Sequence, residues 1–168
     1  GLGARPREEH APLQAPAVHL GAKRVPLGPV ADDEQTHVLG QAHERIDAHG
    51  AVVEPLDEAH LGAQLQAAFD TGLRSVAIVF MHAYGHSAHE EAAARLARAV
   101  GFRQVSVSHQ VSPLMKLIGR GDTTVVDAYL SPILRRYVDQ VAAQMPGVNL
   151  LFMQSSGGLT DAHGFQGK

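Results

Sequence analysis

Asp122-Thr-Thr-Val-Val-Asp-Ala-Tyr-Leu-Ser-Pro-Ile-Leu-Arg-Arg-Tyr137, running on to Phe152-Met-Gln-Ser-Ser-Gly-Gly-Leu159, is the stretch whose reading decides the fold. Val126, Leu130, Ile133, Leu134, Tyr137, Val138 and Val141 recur at helical spacing from Thr123 to Met145. Pro132 interrupts them. Either one helix kinks there, or Ser131 caps a second helix with Pro132 at its first position. Pro146-Gly147 ends the helical pattern. The apolar run Val148 to Met153 reads as a buried strand, and Ser155 to Gly158 as the turn beyond it.

Upstream, Ser75 to Met81 is another continuous apolar run, the mark of a strand buried on both faces. Ser87-Ala88-His89-Glu90 has capping-box spacing and opens a helix that turns Ala93, Leu96 and Val100 inward and closes at Gly101. From Gln104 to Ser108 valines alternate with serines, which predicts a strand nearer a sheet edge. Asp57 caps an earlier helix, with Leu61, Leu65, Ala68 and Phe69 on one face and Gly72 as its left-handed stop. Before it, Glu44–Asp47 and Ala51–Glu54 flank Gly50 as a hairpin. The order β-α-β-α-β predicts an α/β fold with a parallel or mixed sheet and crossover helices. No internal repeat is visible.

Residues 1–43 differ. Pro6, Pro12, Pro16, Pro26 and Pro29 recur among Gly, Ala, Arg and His, and no apolar period survives between them. Each proline removes a backbone donor and pushes its predecessor out of the α region. The segment reads as irregular or disordered. The sharper alternative is that it is not native coding sequence, such as a shifted frame ahead of a genuine one.

Composition narrows the function. With 14 basic and 17 acidic residues the net charge is −3, which leaves no electrostatic footprint for nucleic acid. No apolar run is long enough to span a bilayer, and no secretory leader pattern opens the chain, so a cytoplasmic protein is the default expectation. The absence of cysteine excludes disulfide and thiolate chemistry.

Chemistry concentrates at three places. The Ser155-Ser156-Gly157-Gly158 turn follows a strand, where α/β proteins place ligands, and its glycines permit close approach of an anion; it also serves as a plain connection. His82, Tyr84, His86, His89 and Glu90 cluster after the first apolar run. A metal reading competes there with the capping role of Glu90, so no metal site is assigned, and His82 is the stronger contact candidate. Arg120, Asp122 and Thr123 precede the long helix. Asp122 or Thr123 reads as its N-cap, Arg120 as an anion contact, and Asp127, one turn in, as a polar contact or a favourable charge at the dipole's positive end. Arg135 and Arg136 read as a solvated face.

These segments, in order, resemble the hydantoinase A / 5-oxoprolinase family over residues 44–168. The matching pieces are Glu44-Arg45-Ile46-Asp47 with Gly50 to Pro55, Phe80-Met81-His82-Ala83-Tyr84 with Ala88-His89-Glu90, and Val105-Ser106-Val107-Ser108. Arg120 with Thr123 to Leu130 follows, and then Phe152 to Leu159. The resemblance implies an actin-like ATPase architecture of ribonuclease-H-like halves. It implies Mg²⁺-ATP phosphorylating the oxygen of a small cyclic amide, 5-oxo-L-proline above all, so that water opens it to glutamate; hydantoinase and acetone carboxylase subunits share much of the pattern. His82, Arg120, Thr123, Asp127 and Ser155–Gly158 are carried over as cleft-lining contacts.

The family's Asp-x-Gly-Gly-Thr-Phe-Thr-Asp and Ser-Gly-Pro-Ala-Gly-Gly phosphate loops do not occur in these residues. The expectation is therefore that the chain alone binds neither ATP nor Mg²⁺ tightly and needs other parts of the enzyme or a companion subunit. As a piece of a larger fold it is expected to leave apolar faces uncovered on the Ser75–Met81 strand and on the helix from Thr123, and so to oligomerise or aggregate.

Overall fold

Residue identity sorts the chain onto the two faces of one small sheet. The computed structural model describes residues 20–23, 38–153, 157–162 and 164–165. In chain order its elements begin with β1 (Leu20–Lys23), β2 (Val38–Gly40), β3 (Arg45–Ile46) and β4 (Val52–Glu54). Then come α1 (Glu58–Asp70), β5 (Ser75–Ile78), α2 (Ala88–Val100), β6 (Gln104–Val107) and the short α3 (Ser108–Val111). The long helix α4 (Leu117–Gln144) and the strands β7 (Leu151–Met153) and β8 (Leu159–Asp161) complete it.

The main sheet has the order β2-β1-β5-β6. β1 runs antiparallel to both β2 and β5, and β5 runs parallel to β6 with Ser75 opposite Gln104. The sheet is thus mixed, and β5-α2-β6 is its parallel crossover unit. β1 and β2 fall inside the segment whose sequence reads as irregular. At residues 20–23 and 38–40 the structure has strands instead, because pairing of β1 with β5 and of β2 with β1 supplies order that the proline-rich pattern does not advertise.

Alternation along the strands divides the faces. Val76, Ile78, Phe80 and Val107 pack with Leu61, Leu65 and Ala68 of α1 and Ala93, Ala94 and Ala97 of α2. The opposite face, with Ser75, Ala77, Val79, Gln104 and Ser106, is small and polar and is covered by α4. The strand at β5 is therefore buried on both sides, not left uncovered as expected.

α1 forms as its sequence dictates. Asp57 accepts from the backbone N–H of His60, and Gly72 takes the positive φ beyond its end. The β3–β4 hairpin turns through Gly50, also at positive φ, where the His86 ring leaves no space for a side chain.

α4 departs from expectation twice. It starts at Leu117, so Asp122 and Thr123 lie within it and cap nothing, and it continues through Pro132 as one helix. Ser131 caps nothing either; its hydroxyl donates to Asp127. The helix also buries a mainly small and polar face, and of the periodic apolar set Val138 alone is fully buried. Arg120, Thr124, Ala128, Ser131 and Val138 are buried, whereas Val126, Leu130, Ile133 and Tyr137 are 52%, 41%, 37% and 62% exposed. The reason is steric: the sheet face it meets is polar and shallow, and small residues allow a close approach there. Gly121 lies directly over Val79.

The third strand is also corrected. β7 does not join the sheet but pairs antiparallel with β8, Leu151 opposite Asp161. Leu151, Met153 and Leu159 are exposed. An apolar run states a demand for burial; it does not say which surface meets that demand.

Candidate functional site

The carboxyl ends of β5 and β6 carry a buried charged cluster. Glu90 sits in the first turn of α2 and is wholly buried. It is not the capping-box partner that the sequence suggests. Ser87 makes no cap bond and donates instead to Glu91, while Glu90 points inward. Its Oε1 accepts from the Phe80 backbone N–H at 2.9 Å and from the Ser108 hydroxyl. Its Oε2 accepts from the His109 backbone N–H at 3.1 Å and lies 2.7 Å from His109 Nδ1.

Arg120, equally buried, completes the cluster. Its Nε donates to Ser108 Oγ at 2.9 Å, so that one hydroxyl bridges the two charges. Nη1 donates to the carbonyls of Leu114 and Met115, and Nη2 to those of Phe80 and Met81. A guanidinium has five N–H groups, and all five are engaged. Burial draws the Arg120 pKa below its ordinary value, opposed first by the charge of Glu90 and then by Tyr84. Arg120 is therefore a positioning residue that locks β5, the Leu114–Met115 loop and α4 together, and it has no N–H left for an anion.

What the clamp positions is more available. His82 lies just past the end of β5, half-buried, with its ring edge-on to Tyr84 at 6.2 Å. Its Nδ1 is buried and has no hydrogen-bond partner among the described residues, whereas buried polar atoms are ordinarily paired. The Arg120 guanidinium lies 5.7 Å from the centre of the Tyr84 ring. His109, held through Nδ1 by Glu90, directs Nε2 toward Glu91, 3.8 Å from its Oε1. A carboxylate that fixes one imidazole nitrogen leaves the other as a defined base or ligand. No sequence signal joined Glu90 to His109, since nineteen residues and a strand separate them.

The remaining candidates scatter. His86 packs on Gly50, and His89 Nδ1 lies 2.6 Å from Glu44 Oε2. Thr123 is exposed and bonds only the Gly119 carbonyl within its own helix. Asp127 faces β6, where its two oxygens accept from Ser106 at 2.6 Å and Ser131 at 2.9 Å. Gly157, at positive φ, and Gly158 lie exposed in the β7–β8 turn, while Ser155 and Ser156 fall outside the described residues. The structure thus brings His82 and Arg120 together and sets Thr123, Asp127 and the glycine turn apart from them. With the Arg120 N–H groups and the Asp127 oxygens committed internally, these two residues do not fit a phosphate or Mg²⁺. Among the described residues no group of three or more His, Cys, Asp or Glu is placed to hold a metal ion.

The sequence matches the hydantoinase/oxoprolinase N-terminal region over residues 33–101 and hydantoinase/oxoprolinase over residues 120–168. It is 36% identical over 139 residues to the 5-oxoprolinase of Saccharomyces cerevisiae, covering 80% of this chain and 10% of that protein. To 5-oxoprolinase 1 of Arabidopsis thaliana it is 36% identical over 140 residues, 81% of this chain and 11% of the relative. The fold is similar to the crystal structure of the ATP-dependent caprolactamase from Pseudomonas jessenii, with a TM-score of 0.65 and 31% identity over 73% of this chain and 18% of that one. The chain spans about a tenth of the length of the curated 5-oxoprolinases it matches. Two successive regions of one family, matched in order and supported by a shared α/β fold, place this chain in the hydantoinase/oxoprolinase family.

Proposed function

We propose that the protein to which this chain belongs is an ATP-dependent hydrolase of cyclic amides. The favoured substrate is 5-oxo-L-proline, opened to L-glutamate at the expense of ATP. The observation that carries this reading is the 36% identity to 5-oxoprolinases over four fifths of the chain. The likeness to a caprolactamase supports it, because 5-oxoproline and caprolactam are both lactams, in which amide resonance makes an unassisted opening slow. Mg²⁺-ATP, an actin-like pairing of lobes and a cytoplasmic location belong to the same reading. Within it His82 is a substrate contact through its unpartnered Nδ1, Tyr84 is the adjoining wall, and Arg120 positions both.

The test uses the full-length gene product. Release of ADP that depends on 5-oxoproline, with glutamate formed in equal amount, is the expected result. Turnover of hydantoins or caprolactam in its place would move the substrate within the family.

A second reading concerns the chain by itself. The engaged state of Arg120 and Asp127 favours a non-catalytic folding unit that lines a cleft completed by other segments or a companion subunit. Calorimetry of the isolated chain with Mg²⁺-ATP should show no saturable heat at micromolar concentration; tight binding would overturn this reading.

A further inference from the structure

Away from the charged cluster, the outer side of β6 forms one wall of a cleft of ≈ 460 Å³. That volume lies in the range of small-molecule sites, roughly 300–1,000 Å³. Three arginines from three separate elements converge on it: Arg98 from the last turn of α2, Arg103 from the connection to β6, and Arg135 from α4. Arg135 spends one N–H on Gln104 Oε1 at 2.8 Å. Arg98 and Arg103 have no hydrogen bond or ion pair among the described residues. The single acidic group of the lining is Asp127, and its oxygens already accept from Ser106 and Ser131. Phe102, Val105 and Val111 line the same space.

We propose that this cleft binds a small aliphatic dicarboxylate. Guanidinium forks match carboxylates in a bidentate geometry, and two of them here have N–H groups that no acceptor among the described residues takes. A dicarboxylate offers separate carboxylates to arginines carried on separate elements, whereas inorganic phosphate offers a single centre. The cleft is also larger than a single phosphate requires. A bland reading exists for each arginine singly: Arg98 complements the α2 dipole, and Arg103 and Arg135 are solvated. Convergence from three elements onto one concave space is what that reading does not account for. The proposal stands on the geometry of this chain and does not depend on which cyclic amide the full-length protein opens.

The test is isothermal titration of this chain with glutarate, L-glutamate and inorganic phosphate at low salt. Glutarate should saturate one site in the millimolar range or tighter, with L-glutamate comparable and phosphate roughly tenfold weaker. Arg98→Ala and Arg103→Ala should each weaken glutarate binding about tenfold, the loss of one charge-assisted pair. Both side chains are exposed, so circular dichroism should be unchanged. Arg95→Ala, one turn before Arg98 on α2 and outside the cleft lining, should bind as the parent does. An absence of saturation by glutarate overturns the proposal, as does equal binding by the double variant Arg98→Ala/Arg103→Ala. Phosphate binding as tightly as glutarate would also overturn it, by reducing the cleft to a generic anion site.

Discussion

Arg120 and Glu90 are both fully buried; the Ser108 hydroxyl bridges them, and backbone groups and His109 satisfy their remaining atoms. Removing one member of such a pair strands the other charge in a low dielectric, which costs about 3–5 kcal/mol. Glu90→Ala should therefore lower the stability by that amount in urea unfolding, whereas Ser87→Ala, beside it in sequence, should change it by less than about 0.5 kcal/mol. Equal effects of the two substitutions would restore the capping-box reading. The exposed hairpin makes a separate prediction. Asp47 accepts from the N–H groups of His49 and Ala51, and the Ala51 bond above all holds its pKa below the ordinary 3.8. A depressed carboxyl stabilises the folded turn above its unfolded pKa and loses that effect as pH falls through the folded one. The Ala51 amide resonance should titrate with a midpoint below 3.8, and Asp47→Asn should abolish that titration.

At the scale of elements, α4 is held to the sheet by its polar seam. Asp127 joins Ser106 of β6 to Ser131 of its own helix, and its loss removes one acceptor from each of two buried hydroxyls. Asp127→Ala should cost about 1–3 kcal/mol, read from the denaturant midpoint. The outer stripe behaves oppositely. Val126, Leu130 and Tyr137 meet solvent in this chain, so replacing them with Gln should shift stability by less than about 0.5 kcal/mol each. The same triple substitution should reduce self-association, measured by light scattering across a concentration series. The helical period was legible in the sequence, because apolar spacing reports helix directly. Which face turns inward was not, because that depends on the opposing surface of Ser75, Ala77, Gln104 and Ser106.

For the whole molecule, that stripe and the exposed Leu151, Met153 and Leu159 of β7–β8 are apolar surface that a chain covering about a tenth of its relatives' length leaves open. Self-association at micromolar to millimolar concentration is the expected consequence. A monodisperse monomer with a cooperative melt would contradict it. The candidate site was only half legible: His82 was found at the carboxyl end of a strand and Arg120 ahead of the long helix, whereas Glu90, Ser108 and His109 come together only through the β5–β6 pairing.

Taken alone, the sequence determined most elements from Arg45 to Gln144 in type and order, though neither α3 nor the start and continuity of α4, together with the caps at Asp57 and Gly101 and the family. Periodicity, turn chemistry and ordered motifs are local properties of the chain. Only the tertiary structure decided that Glu90 faces inward, that Arg120 is a spent clamp rather than an anion contact, that β1 and β2 join the sheet, and that β7 leaves it. Each of these depends on which donors, acceptors and surfaces meet across long sequence separations, and no pattern along one segment records its partner.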